Sequence, residues 1–357
     1  MEHKNILAAI ISPLCSWYRK NQRILPWREN KDPYRIWVSE IMLQQTRVEA
    51  AIPYYHRFLE ALPTVEALAQ APLEQLMKLW EGLGYYSRVK NMQKAAVTVV
   101  EQYGGRFPAD IKLLEKLPGI GDYTAGAIGS IAFGLPTPAV DGNVLRVAAR
   151  LCNDDADIML PQTKRRVKAD LETAYPEAVD VSDLTQGLME LGALICVPGV
   201  PKCDLCPLTA FCEARKAGRE QLLPVREVKK EKKTEKRTVF MLCCGDKVAA
   251  VKRPEKGVLA GMWEFPAVEG HITGGKAEQI LTSWGMKGKG EAFVDNRHVF
   301  THLIWEMKSY LVMADTMSDR FSWFSFEELQ NSVAIPTAMK PFLTAMLKKV
   351  EEEHKQK

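Results

Sequence analysis

Between Leu7 and about Lys216 apolar residues recur three and four apart, as in Leu114 and Leu117 and, beyond a glycine-bearing turn, Ala125, Ile128, Ile131 and Ala132. That period predicts amphipathic helices. Pro53, Pro63, Pro72, Gly82, Gly84, Gly104 and Pro108 cut the pattern into segments, so this half of the chain is expected to be all-α. The run REVKKEKKTEKR, residues 226–237, carries charge without an apolar period and suits an exposed connector. Beyond it the pattern changes: residues 238–249 and 298–313 are rich in β-branched, aromatic and aliphatic side chains bounded by Gly-Asp and Ala-Asp turns, and read as strands. Helical stretches are expected at about 276–283 and 336–355. The predicted organisation is multidomain, with an all-α domain over 1–221, a charged linker over 222–237 and an α+β domain over 238–357.

Composition adds bounds. A chain of 357 residues, 46% of them hydrophobic, has room for two cores at the usual ~150 residues each. Its net charge of +4 permits a polyanionic partner without demanding one. The apolar run near the N-terminus is too short and interrupted to span a membrane, and no small-residue cleavage site follows it, so a cytoplasmic protein is expected. In that compartment eight cysteines are not expected to pair as disulfides. Four of them, Cys196, Cys203, Cys206 and Cys212, fall within 17 residues in a C-x6-C-x2-C-x5-C spacing. Turns at Pro198, Gly199, Pro201 and Pro207 can bring these thiolates together, as ligands of zinc or of an iron–sulfur cluster; the spacing does not decide which. Cys15, Cys152, Cys243 and Cys244 lack such spacing and read as small buried hydrophobes.

Three further places carry candidate chemistry. In LEKLPGIGDYTA, residues 114–125, a Pro-Gly-Ile-Gly turn leads into a second helix, and backbone N–H groups at a helix start suit an anion. Gly119 and Gly121 have no side chain to hold a phosphate oxygen off. Glu40 sits among Trp37, Ile41, Met42 and Leu43; a carboxyl in apolar surroundings has a raised pKa and can act as a general acid. On one continuous helix Glu40, Leu43, Gln44 and Arg47 would share a face. Asp141, ahead of Gly142 and Asn143 and a helical pattern from Val144, is a candidate N-cap that could also face a cleft and stabilise positive charge.

Taken together, PWR (26–28), SEIMLQQTRV (39–48), GLGYYSR (82–88), LPGIGDYTA (117–125), VDGNV (140–144) and the four-cysteine spacing closely resemble the MutY family of adenine DNA glycosylases, within the helix-hairpin-helix base-excision superfamily. The resemblance implies an enzyme that flips adenine out of duplex DNA, where it stands opposite 8-oxoguanine or guanine, and hydrolyses its N-glycosidic bond. It implies a [4Fe–4S] cluster on Cys196, Cys203, Cys206 and Cys212, and Glu40, Asp141 and Tyr123 as catalytic residues, with Tyr123 helping to stabilise the charge and to orient Asp141. Relatives similar to endonuclease III carry a lysine where this chain has Tyr123; a phenol cannot form their Schiff base, so a monofunctional enzyme that leaves an abasic site is expected. By the same resemblance Gly119 and Gly121 hold backbone phosphate, with a monovalent or divalent cation at the hairpin. Leu43, Gln45, Tyr85 and Arg88 contact or probe the duplex, and Trp27, Arg28 and Gln186 surround the adenine.

Residues from about 237 to 350 resemble the family's Nudix-like domain, whose role is to recognise 8-oxoguanine. The stretch 274–286 offers one glutamate and no Arg-Glu-x-x-Glu-Glu array, so no second hydrolase activity is expected. Phe300, Thr301 and His302 stand where the family commonly has Phe-Ser-His. Threonine keeps the hydroxyl and adds a methyl. Gly261 and Trp263, in GVLAGMWEFP, are expected to be structural. The chain is expected to act as a monomer with no membrane partner. Three competing readings make distinct claims: a bifunctional glycosylase/lyase would be trapped on DNA by borohydride, a silent damage binder would ignore loss of Glu40, and a four-cysteine zinc scaffold would be colourless.

Overall fold

The computed structural model describes residues 3–175, 181–227 and 231–355, so residues 228–230 of the expected linker lie outside the described residues. The chain forms two compact units, Met1–Gln70 with Asn91–Lys229, and Ala71–Lys90 with Lys230–Lys357.

The first unit is helical. Its helix Val181–Leu194 packs against Ile11–Asn21, where Gly187 lets Leu14 and Tyr18 approach to 3.3 Å of where a Cβ would stand. Leu14, Val144, Leu184, Leu188 and Leu191 fill the core between these helices and Gly142–Leu151. The helix Pro33–Leu43 starts at Asp32, whose side chain accepts from Tyr34 N, with Pro33 pre-set for the first turn. It stops at Leu43, because Gln45 takes a left-handed φ of 62° and Arg47 already precedes the next helix, Val48–Ala61. The face expected to run from Glu40 to Arg47 is therefore broken, and Arg47 does not share it.

The helix Asp122–Phe133 is buried along most of its length. Its apolar period reads correctly, but the closest packing is made by two glycines three residues apart. A Cβ on Gly126 would stand 2.5 Å from the backbone oxygen of Pro138, and one on Gly129 2.4 Å from Ile111 Cδ1. The bare helix backbone thus lets the chain at Pro138 and Ala139 lie directly against it, two residues ahead of Asp141.

The second unit is built on an eight-stranded sheet: β1 Lys233–Cys244, β2 Lys247–Lys252, β3 Trp263–Glu264, β4 Ala267–Glu269, β5 Glu291–Ala292, β6 Asn296–Val299, β7 Leu303–Met313 and β8 Ser322–Ser325. The main path runs β3-β2-β1-β7-β5, with β4 on β1, β6 on β7 and β8 on β2. Among the described residues only β1 and β7 pair in parallel, in register from Lys233↔Leu303 to Cys243↔Met313. Strand β1 begins five residues earlier than expected from residue 238. Its polar start is held by backbone pairing, by Trp305 Nε1 donating to Glu235 at 3.1 Å and by the Arg237 guanidinium lying 4.2 Å over the Trp305 ring. Alternate residues of β1 serve opposite faces, Val239 and Met241 packing with Phe342 and Met346 of helix Lys340–Lys355, and Phe240 and Leu242 with Ala277 and Leu281 of helix Gly274–Ser283. Both faces are covered, which explains the near-continuous apolar run.

The close approach at Gly126 makes a testable demand. Gly126→Ala must push Pro138 away and is expected to destabilise the helical unit by about 1–3 kcal/mol, measured as a lower midpoint in urea.

Candidate active site

A cleft of about 780 Å³ opens within the helical unit. Glu40, from the last turn of helix Pro33–Leu43, enters it with only 6% of its surface exposed. Tyr123, at the start of helix Asp122–Phe133, donates its hydroxyl to Glu40 Oε2 at 2.6 Å. Burial is the dominant influence on Glu40 and pushes its pKa up to about 7; the Tyr123 hydrogen bond works the other way, and Asp141 adds a smaller upward push. The carboxyl therefore sits where a proton can be both held and released at neutral pH.

Asp141 is both of the things the sequence allowed. It caps helix Gly142–Leu151, accepting from Val144 N at 2.8 Å, and it lines the same cleft as Glu40 and Tyr123. Burial raises its pKa, against lowering by the Val144 and Asn143 hydrogen bonds. Asn143 Nδ2 donates to Asp141 Oδ2 at 2.8 Å, and Arg146 Nη2 in turn donates to Asn143 Oδ1 at 2.8 Å. Arg146 also donates to the Gly192 and Cys196 carbonyls, both at 2.7 Å.

The far wall is a charged clamp. Glu190, with 1% of its side chain exposed, accepts from Arg23 Nε at 2.9 Å and from Arg28 Nη2 at 2.8 Å. Although burial alone would raise its pKa, the hydrogen bonds from Arg23 and Arg28 bring it down to about 2. Arg28 Nε reaches Gln186 Oε1 at 3.1 Å, while the Trp27 ring packs edge-on against Tyr55 with centroids 5.4 Å apart. Trp27, Arg28 and Gln186 all line the cleft. Arg23, Glu190, Asn143 and Arg146 were missed as site residues; the signal present was a glutamate and an arginine set within otherwise apolar helical runs.

The remaining candidates fall in four places. At the hairpin, Gly119 has φ 78° and packs where a Cβ would stand 2.7 Å from Asn91 Cβ, so its glycine answers to conformation and packing. Gly121 caps helix Asp122–Phe133 in an extended conformation with open space where a Cβ would point, which leaves room for a ligand. Leu43 lines the cleft and Gln45 stands exposed at its left-handed turn. In the second unit Tyr85 also has a positive φ, 47°, and is 44% exposed, and its hydroxyl meets that of Thr301. Positive φ is uncommon for residues other than glycine. Arg88 does not point away from the protein as a phosphate-binding side chain would: Nη2 donates to the Leu83 and Gly84 carbonyls at 2.9 and 3.0 Å. Phe300, Thr301 and His302 form the turn between β6 and β7, with Phe300 stacked edge-on between His298 and Trp305 and the next two residues exposed.

Cys196, Cys203, Cys206 and Cys212 line one small cavity. Among the described residues no group of three His, Cys, Asp or Glu closes on a single ion. The thiols stand around a space, with Arg150 Nη1 donating to Cys196 Sγ at 3.3 Å. Arg150 also donates to the carbonyls of Val197, Gly199 and Leu223, which ties the loop to helix Gly142–Leu151.

Comparison with known proteins finds matches in two regions of the chain. Residues 38–177 match the HhH-GPD superfamily of base excision DNA repair proteins, and residues 238–345 match the NUDIX domain. The adenine DNA glycosylase of Rattus norvegicus is 34% identical over 96% of this chain and 78% of its own length. That of Buchnera aphidicola subsp. Acyrthosiphon pisum is 30% identical over 94% of this chain and 97% of its own. Among solved structures, a thermostable thymine-DNA glycosylase aligns with a TM-score of 0.55 at 28% identity, covering 60% of this chain and 98% of that one. A non-covalent endonuclease III–DNA complex aligns with a TM-score of 0.51 at 25% identity, covering 61% and 99%.

The Glu40–Tyr123 pair makes its own prediction. Because the hydroxyl stabilises the ionised carboxylate, Tyr123→Phe is expected to move the Glu40 titration above about 7. A 13C NMR titration of labelled glutamate, with Glu40→Gln to assign the signal, checks the direction.

Proposed function

From a chain that belongs to the adenine DNA glycosylase family, we propose the following division of labour for adenine excision in base-excision repair. The enzyme is a monofunctional DNA N-glycosylase; its substrate is a duplex with adenine opposite 8-oxoguanine or guanine. The observation that carries the mechanism is the placement of Glu40, Tyr123 and Asp141 on one cleft with Glu40 titrating near neutrality. The base must leave the stack to enter it.

Adenine departs poorly as an anion. Glu40 protonates N7, so the base leaves neutral and the sugar is left as an oxocarbenium ion. Asp141, held by Asn143 and the start of its helix, faces that charge and stabilises it. Glu40, now ionised, takes a proton from the attacking water, and Tyr123 keeps its carboxylate in place. Position 123 supplies no amine, so no Schiff base forms and the strand stays intact. Trp27, Arg28 and Gln186 enclose the base, with Glu190 and Arg23 fixing Arg28.

Gly121, beside Gly119, offers phosphate an open approach to the helix start, with a monovalent or divalent cation at the hairpin. Leu43, Gln45 and Tyr85 probe the duplex, and Thr301 and His302 read 8-oxoguanine from a turn anchored by Phe300. Four thiols around one cavity, and an arginine aimed at one sulfur, fit a [4Fe–4S] cluster on Cys196, Cys203, Cys206 and Cys212. When bound, such a group supplies a rigid cross-link for the loop. The division of the chain into a glycosylase domain over 1–221 and a lesion-reading domain over 238–357, a monomeric state and action in the bacterial cytoplasm on chromosomal DNA complete the reading.

Single-turnover reactions on duplexes with adenine opposite 8-oxoguanine or guanine, read with and without alkali, test it. Strand breaks only after alkali, and faster opposite 8-oxoguanine, are expected; breaks without alkali would overturn the monofunctional reading. Glu40→Gln is expected to slow excision by about 10²–10⁴ while DNA binding persists. The rate of excision by the unaltered enzyme should fall as pH rises through about 7, as Glu40 loses its proton. It should fall again in acid as Asp141 gains one, at a pH above the ordinary 3.8.

A further inference from the structure

The loop over residues 82–86, which leads into helix Ser87–Tyr103, is strained and tightly tied. Gly82, Gly84 and Tyr85 have φ values of 104°, 69° and 47°, so three of four consecutive residues lie in the left-handed half of conformational space. Glycine tolerates this and tyrosine does not without support. The support is visible. Arg88 Nη2 donates to the Leu83 and Gly84 carbonyls, Trp80 Nε1 donates to the same Gly84 carbonyl at 3.0 Å, and Gly82 N donates to the Tyr86 hydroxyl at 3.3 Å. The Arg88 guanidinium lies 5.2 Å from the Trp80 ring centroid and 5.7 Å from that of Tyr85. Burial lowers its pKa to about 10, in keeping with a cation withdrawn from water.

We infer that Arg88 is a positioning residue that holds Tyr85 in its left-handed conformation, and so sets preference for the base opposite adenine, and that it is not a phosphate ligand. The inference rests on the proposed role of Tyr85 as a duplex probe. Its physical basis is the planar guanidinium: one nitrogen spans two adjacent carbonyls while the plane lies near two aromatic rings. A lysine ammonium, a strongly hydrated point charge, meets a phosphate well but cannot reproduce that arrangement. The two roles therefore separate on one conservative substitution.

The test uses full-length protein and duplexes carrying 2′-fluoro-2′-deoxyadenosine, which resists hydrolysis, opposite 8-oxoguanine or guanine. Affinities are measured between 50 and 200 mM salt, about the range over which phosphate contacts reveal themselves. Arg88→Lys, Arg88→Met and Tyr85→Ala are each expected to lose preference for 8-oxoguanine on the order of tenfold, with the salt slope unchanged in the Arg88 variants. The double variant Tyr85→Ala/Arg88→Met should be no worse than Tyr85→Ala alone. The inference is overturned if Arg88→Lys behaves as the unaltered protein while Arg88→Met reduces the salt slope by about one, or if the losses in the double variant add. Arg88→Lys keeps the charge and guards against a Met variant that does not fold. Ring-carbon NMR signals of Tyr85 in the unbound protein supply an independent readout, expected to shift in both Arg88 variants; unmoved signals would also overturn the inference. If the unaltered protein shows no preference for 8-oxoguanine, the lesion-reading proposal fails, whereas the Tyr85 signals still decide whether Arg88 holds that ring.

Discussion

A carboxyl group that is to hold a proton near neutral pH must be kept from water, and the cleft of the helical unit meets that requirement at Glu40. Glu40 is withdrawn into a cleft wall, where desolvation favours its neutral form. Such burial is costly unless the carboxyl finds a partner. Tyr123 supplies one without supplying a compensating positive charge, which would have returned the group to its ordinary acidity. The adjacent Asp141 is treated differently: donors from its own helix and from Asn143 oppose its burial. Two carboxyl groups on one cleft thus stand in different surroundings, Glu40 bonded to a tyrosine hydroxyl and Asp141 to donors from its own helix start, and burial raises the pKa of both.

The same economy governs the backbone. Because Gly126 and Gly129 have no side chains, the chain from Pro138 passes close to helix Asp122–Phe133 and delivers Asp141 to the start of the next helix. Helix Gly142–Leu151 then serves two ends of the site. Its cap, Asp141, lines the cleft, and two arginines further along it, Arg146 and Arg150, hold the cysteine loop through backbone carbonyls and one sulfur. Ten residues of regular helix thus give the cleft and the cysteine loop a common support.

Local pattern made much of this legible. Cysteine spacing, a glutamate among apolar neighbours and an aspartate ahead of Gly-Asn-Val are short-range signals, and each marks a residue that the fold brings to a cavity. Long-range partnership was not legible. Glu190 meets Arg23 and Arg28 across more than 160 positions, and nothing near any of the three announces the others. The face from Glu40 to Arg47 failed because a left-handed residue, Gln45, ends the helix, and side-chain periodicity carries no information about φ. Arg88 was expected to contact the duplex, and residue type alone does not show that its guanidinium turns onto the Leu83 and Gly84 carbonyls. The start of β1 was hidden for another reason: polar residues can form a strand when a neighbouring backbone and an aromatic ring supply the contacts.

The parallel pairing of β1 with β7 also has a mechanical meaning. The connector enters the second unit at Lys233, opposite Leu303, immediately after the Phe300–His302 turn, and Lys232 Nζ donates to the Phe300 carbonyl. A pull on the connector along the strand loads the paired residues from Lys233 to Cys243 together, in shear, instead of peeling them one at a time. Tension arriving through that connector is spread along the ladder, and the turn beside its point of entry is spared from being unzipped.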